Sequence, residues 1–189
     1  MVNSTSFYTE SKLRNLGFKA YGKNVLISNK ASFYGIENIS LGNNVRIDDF
    51  CVLSGKIEIG SYVHIAAFCG LFGEAGIIME DFSGLSSRVS VYSVSDNFIG
   101  KSLTNPTVPK EYRVIEQGQV VLKKHSLVGS GAVLLPGSLL NVGSVLGALS
   151  LLKGKTKEWK VYFGAPANYL MEREKETILS LENKMLGKS

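Results

Sequence analysis

The sequence predicts a mainly β fold, a parallel β-helix, and three observations carry that expectation. A branched apolar residue recurs at every sixth position from Leu41 through Ile47, Leu53, Ile59 and Ile65 to Leu71, and the series resumes as Leu122, Val128, Leu134, Leu140 and Leu146. Four residues after each anchor stands a small or β-branched side chain: Val45, Cys51, Ile57, Val63, Cys69 and Ala75, then Ser126, Ala132, Ser138, Ser144 and Ser150. Glycine follows several anchors directly, at Gly42, Gly60, Gly129 and Gly147, where corners need unusual backbone angles or close approach. A period of six fits neither the 3.6-residue turn of a helix nor the simple alternation of an isolated strand.

The elements follow in chain order. Residues 5–17 read as a short helix, with Phe7, Leu13 and Leu16 apolar and Gly17 as the stop. Repeats begin weakly at Tyr21, Ile27 and Phe33, slip by two residues around 35–39, and then run strongly from Leu41. A second slip at 72–78 precedes Met79, Leu85 and Val91, with Ser83, Val89 and Ser95 in the small position. From 96 to 118 the period fails, in a stretch holding Asn97, Gly100, Asn105, Pro106 and Pro109. An excursion of this length inside a repeat domain reads as functional. Gly164-Ala165-Pro166-Ala167 is a turn, and 168–189, with Leu170, Ile178, Leu181 and Met185 among many charges, reads as an amphipathic C-terminal helix. The domain plan is therefore 1–167 for the β-helix and 168–189 for the helix.

Composition excludes several classes. The 189 residues suffice for one sizeable domain and a short appendage, and the net charge of +5 is mild. Basic residues cluster only at Lys153, Lys155, Lys157 and Lys160, a solvated edge or a landing site for phosphates. No recognised nucleic-acid motif is present, so nucleic acid is not an expected partner. The uncharged stretch 127–152 has the length of a membrane span, but its glycines, Pro136, Asn141 and six-residue beat make it a β-helix wall. No secretory signal stands at the polar N-terminus, so the expected location is the cytoplasm. The Asn3-Ser4-Thr5 glycosylation match then means nothing, and Cys51 and Cys69 read as buried thiols one coil apart.

The stretches Leu41-Gly42-Asn43-Asn44-Val45-Arg46-Ile47 and Val128-Gly129-Ser130-Gly131-Ala132-Val133-Leu134-Leu135-Pro136-Gly137, with the closing Gly-Ala-Pro-Ala turn, resemble the left-handed β-helix acyltransferases over nearly the whole chain. Residues 45–56, 61–67 and 121–125, with Ser86-Ser87-Arg88 and Asp96, are most similar to the N-acyltransferases of nucleotide-linked 4-amino-4,6-dideoxy sugars. The resemblance implies a left-handed coil, a homotrimer, acyl-CoA as co-substrate in a cleft between subunits, a nucleotide-linked amino sugar as acceptor, and a role in surface glycan biosynthesis.

Many relatives of the xenobiotic and galactoside type carry a histidine general base at the start of the long loop. Here that region reads Tyr92-Ser93-Val94-Ser95-Asp96-Asn97, without histidine. A hydroxyl must be deprotonated to attack, whereas an amine needs mainly orientation, so the substitution favours an amine acceptor. Asp96 is the first candidate to contact that amine, weighed against a plain loop-initiating turn. Ser86 is the second, weighed against an ordinary polar repeat position, and His64 the third, weighed against a structural histidine. The resemblance implies coenzyme A near Gly129, Ala148 and Ser150, its phosphates at Lys153 and Lys155, and its adenine on Pro166. Glu74, Arg88, Tyr112 and His125 are the candidates for the sugar nucleotide. No metal is expected, since two histidines cannot build a three-histidine zinc site. The alternatives are an O-acetyltransferase of a sugar or small hydroxyl acceptor, and a non-catalytic β-helix scaffold.

Overall fold

The computed structural model describes residues 6–188; Asn3-Ser4-Thr5 and the first residue of the expected N-terminal helix lie outside them. The chain winds as a parallel β-solenoid of about seven turns. Its three faces are ladders of short parallel strands. The first stacks Ala20–Tyr21, Ile39–Leu41, 57–59, 77–79, Val120–Leu122 and Leu139–Leu140. The second stacks Leu26–Ile27, Arg46–Ile47, His64–Ile65, Gly84–Leu85, Leu127–Val128, Val145–Leu146 and Lys160–Phe163. The third stacks Ser32–Tyr34, 52–54, 70–72, Ser90–Tyr92, Val133–Leu134 and Leu151–Leu152.

The six-residue beat places one anchor per face, and every anchor turns inward: none of the eleven is more than 5% exposed. Each such side chain contributes about 1.5–3 kcal/mol by leaving water. The small residues four positions later fill the spaces between them; Val45, Ile57, Ala132, Ser138 and Ser144 are fully buried. Cys51 and Cys69 are free buried thiols on consecutive coils, donating to the carbonyls of Ala66 and Ser86 at 3.1 Å each.

Corners are built by residues in the left-handed region. Phe50, Phe68, Arg88 and Leu149 do this at one corner, Tyr62, Phe82, His125 and Trp159 at another. Each costs about 1 kcal/mol for a residue with a Cβ. Stacking between coils offsets it: Tyr62 lies on Phe82 at 4.8 Å and Phe50 on Phe68 at 5.1 Å. Side chains also join successive coils to one another. Asn43 Oδ1 accepts from Lys23 N, Ser61 Oγ from Asn43 N and Asp81 Oδ1 from Ser61 N, at 2.8, 3.1 and 2.7 Å.

Ala75 and Ser95 depart from the expected pattern. Both are partly exposed, while Ile77 and Ser93 occupy the core. The long strand Gly70–Met79 rounds a corner with extra residues, and Ser93 Oγ fastens it by accepting from Ala75 N and donating to the Phe72 carbonyl, 2.9 Å each.

The termini also differ. The first helix, α1, is confined to Glu10–Arg14 within the expected 5–17. The expected helix at 168–189 is divided: Asn168–Glu172 is a strand antiparallel to Lys160–Phe163, and only Glu176–Met185 is helical, α2. The reason is an open edge. Lys160–Phe163 ends the second face with unpaired backbone groups, and the turn at Gly164 returns the chain to them. In α2 the pattern of burial is inverted from the apolar expectation, for Leu181 is 60% exposed and Glu182 is buried.

Candidate active-site clefts

Two recesses lie on adjacent sides of the coil. The first is where the regular repeats end. The third face continues past Tyr92 into Val94–Asp96, which pairs antiparallel with Ile115–Gln117 and leaves the excursion hanging over the face. Beneath it is a cleft of about 560 Å3, lined by Phe72, Glu74, Tyr92, Asp96, Lys110 and Arg113 among others. Asp96 sits at the end of its strand, half-buried, and its Oδ2 accepts from the amide of Asn105 at 3.1 Å. The other carboxylate oxygen accepts no protein hydrogen bond among the described residues. Glu74 joins it on the exposed side of Gly70–Met79.

The second recess, about 670 Å3, runs along the second face and is lined by Tyr62, His64, Ser86, Leu127, Gly129 and Gly147 among others. Ser86 is exposed there. Gly129 is required by packing: a Cβ would come within 2.4 Å of the Ala148 amide nitrogen. Its missing side chain also leaves the groove floor as bare backbone. His64 donates or accepts through Nε2 with Asp48 Oδ2 at 2.8 Å, and Arg46 Nε donates to Oδ1 of the same carboxylate at 2.7 Å. Burial works to raise the Asp48 carboxyl, but the hydrogen bonds from Arg46 and His64 outweigh it and hold it below the ordinary carboxylate range.

The remaining candidates are distributed as follows. Ala148 is exposed, whereas Ser150 is buried and bridges backbone, accepting from Gly164 N at 3.0 Å and donating to the Ala148 carbonyl at 3.3 Å. Any ligand contact there is with backbone. Lys153 pairs with Glu116 on the excursion's return strand at 3.0 Å, and Lys155 and Pro166 are exposed. Arg88 is an exposed corner residue over the Phe68 ring at 5.9 Å, and Tyr112 is exposed on the excursion; neither lines either cleft.

His125 lies apart from both. It is 6% exposed, stacked on Phe82 at 5.0 Å, with Nε2 2.7 Å from Glu182 Oε2. Its carbonyl accepts from Arg173 at 2.6 Å. It fastens the C-terminal segment to the coil. Lys110, Arg113, Phe72 and Tyr92 were not distinguished by the sequence reading. Membership among the three basic residues of an aperiodic excursion was the only signal for the first pair, and an aromatic side chain directly after an anchor for the second.

Among the described residues no helix is long and apolar enough to cross a membrane, and no group of three or more His, Cys, Asp or Glu side chains could hold a metal ion.

Stacked hexapeptide coils make the chain a repeat solenoid with a bare-backbone groove and a carboxylate cleft, and the fold alone does not fix what such a solenoid does. Residues 38–73 match the family model for bacterial transferase hexapeptide (six repeats). Over 181 residues, 94% of both chains, the protein is 44% identical to dTDP-4-amino-4,6-dideoxy-D-glucose acyltransferase of Escherichia coli. The N-acyltransferase AntD from Bacillus cereus, solved with dTDP and 3-hydroxybutyryl-CoA, superposes with a TM-score of 0.95 at 46% identity, covering 97% of this chain and 98% of AntD. An AntD serine-to-alanine variant with dTDP-4-amino-4,6-dideoxyglucose and coenzyme A gives 0.96 at 45%, covering 98% and 100%. The chain belongs to the hexapeptide-repeat acyltransferases, in the branch that contains these proteins. At greater distance, 28% identical over 81% of this chain and 78% of the relative, is WbbJ of Escherichia coli K12, named for O-acetyl transfer in lipopolysaccharide biosynthesis.

Proposed function

We propose that this acyltransferase moves an acyl group from a coenzyme A thioester to the 4-amino group of a dTDP-linked 4-amino-4,6-dideoxy sugar, in the cytoplasm, on a path to a surface glycan. The observation that carries the reading is the half-buried carboxylate of Asp96 in a cleft that contains no histidine. The amine nitrogen attacks the thioester carbonyl. A C–N bond forms, the C–S bond breaks, and the thiolate leaves with the electron pair. Asp96 orients the incoming amine and takes its proton, and Ser86 donates to the thioester oxygen as charge develops there. Aspartate and serine are also the residue types replaced in the AntD variants solved with these ligands.

Asp96 and Ser86 line different recesses of one chain. A homotrimer, in which one copy's excursion cleft meets its neighbour's groove, unites them in a site between subunits. Coenzyme A then lies along Gly129 and Ala148, with Lys153 and Lys155 toward its phosphates and Pro166 toward its adenine. Sedimentation of the purified chain as a trimer is the expected result.

The test is thiol release from acetyl-CoA and longer acyl-CoAs with dTDP-linked 4-amino-4,6-dideoxy sugars and with hydroxyl-only sugar nucleotides as controls. Release with the amino sugar alone is expected. Release with the hydroxyl acceptors would establish O-acetyl transfer instead, the reading that the similarity to WbbJ favours.

A further inference from the structure

Ser86 shares its groove with one imidazole. Among the described residues that line the second recess, only Tyr62 and His64 titrate; the rest are apolar, serine or glycine. Tyr62 belongs to the wall, its ring parallel to Phe82 at 4.8 Å and 4°. The His64 side chain is 51% exposed. It stands in register with Gly84 on the next coil, and Ser86 is two residues beyond Gly84. Strand geometry then offsets His64 from Ser86 by about 5 Å across the coils and about 7 Å along them. Gly84 keeps the space between them open. Its backbone lies outside the left-handed region, and a Cβ there would meet nothing nearer than Leu127 Cδ2 at 3.3 Å, the end of a flexible side chain. Packing does not demand this glycine as it demands Gly129.

The imidazole is held from behind. Arg46 and His64 are partners on consecutive coils, and both reach the Asp48 carboxylate, at 2.7 and 2.8 Å. The Phe7 ring covers the Arg46 guanidinium at 5.3 Å. Burial opposes the charge on Asp48, but its two partners prevail and keep it ionised. An ionised carboxylate only accepts, so His64 Nε2 carries a hydrogen. Nδ1 has no protein partner among the described residues and is the ring atom left for a ligand. A carboxylate placed behind an imidazole in this way fixes its tautomer and stabilises the imidazolium.

We propose that His64 is the proton donor to the departing sulfur, with Asp48 and Arg46 as its positioning residues. The inference rests on the acyl transfer proposed above. The C–S electron pair goes to sulfur, the Nδ1–H bond of the imidazolium breaks, an S–H bond forms, and the neutral imidazole takes a proton back from water. Asp96 returns the amine's proton to water, so an amine and a thioester give an amide and a free thiol. A thiol holds its proton more tightly than an imidazolium does, which makes the transfer to sulfur downhill. Steady-state thiol release by the full chain tests the assignment. His64→Gln should lower kcat about 10²-fold, the low end for general-acid help because a thiolate leaves readily, with the KM values little changed. His64→Ala should lose as much and recover part of it when imidazole is added, beyond any effect of imidazole on the wild type. Asp48→Asn should lower kcat less, and combining it with His64→Gln should be no slower than His64→Gln alone. Wild-type kcat in His64→Gln, or a loss in His64→Ala that imidazole leaves in place at an unchanged melting temperature, would overturn the donor. If the Ala variant melts early, the Asp48→Asn and His64→Gln comparison decides: losses that add would overturn the dyad. Thiol release with hydroxyl acceptors alone would overturn the amino-sugar reading, and the same variants would still decide His64, since the same sulfur leaves. Release with no acceptor at all would overturn both.

Discussion

The carboxylate of Asp96 accepts a hydrogen bond from the backbone amide of Asn105 at 3.1 Å, so the residue that opens the excursion is tied to the excursion's own middle. The bond occupies one oxygen and leaves the other facing the cleft. It also orients the carboxylate without a charged protein partner. This is the arrangement expected of a group that must receive an ammonium.

Asp96→Asn preserves shape and removes the proton acceptor. The expected outcome is a fall in kcat of about 10²–10⁴-fold with an unchanged melting temperature. Steady-state kinetics with the dTDP-linked amino sugar check it, and a wild-type rate would exclude Asp96 from any essential role.

Ser86→Ala removes an exposed hydroxyl that makes no structural hydrogen bond through its side chain among the described residues. If it serves the thioester oxygen, kcat should drop by roughly 10²-fold, the scale of a lost oxyanion donor, with the KM values little changed.

Lys153→Gln should separate binding from stability. Its pair with Glu116 is well exposed, and such pairs contribute about 0–1 kcal/mol. The melting temperature should stay put while the KM for acyl-CoA rises about threefold to tenfold, the loss of one point charge at a phosphate.

Glu182 supplies an acid-dependent attachment of α2. Burial favours its protonated form, but Lys124 and His125 outweigh that and lower its carboxyl below the ordinary glutamate value of 4.5. The folded chain therefore binds this proton less readily than the unfolded one. The stability it lends is complete above that value and is lost as the pH falls through the lower folded value. Glu182→Gln should cost about 1–3 kcal/mol near neutral pH and flatten the acid limb of the melting-temperature profile. An unaltered acid limb would place the acid sensitivity elsewhere.

Leu53→Ala tests the register of the coil. The side chain is fully buried between coils, and its truncation should cost about 2–5 kcal/mol by denaturant unfolding. A cost near zero would show that the six-residue phase is misassigned.

The β-helix was legible because its signal is local and repeated. Each anchor meets the same residue one coil away, so a period in sequence becomes a ladder in space, as Leu53 pairs with Leu71 and Ile65 with Leu85. Asp96, Ser86, His64, Glu74 and Gly129 were also legible as candidates, since they stand where the beat is interrupted or bordered. His125 was not: it stands at a corner, three residues after its anchor as Tyr62 does, and it is claimed by Glu182, 57 residues away. The strand Asn168–Glu172 was hidden for the same reason, because its partner is an edge created only when the coil ends.

By itself the sequence determined the coil, its three buried ladders and the place of the excursion, all of which follow from residue spacing and side-chain type; the kind of chemistry entered through the family resemblance. The tertiary structure alone decided which charges share a cleft. It set Lys110 and Arg113 beside Asp96 and withdrew His125 into the packing of α2. Periodic burial is an additive property of neighbouring coils, whereas the meeting of four charges under a loop depends on how an aperiodic segment folds back, and no spacing encodes that.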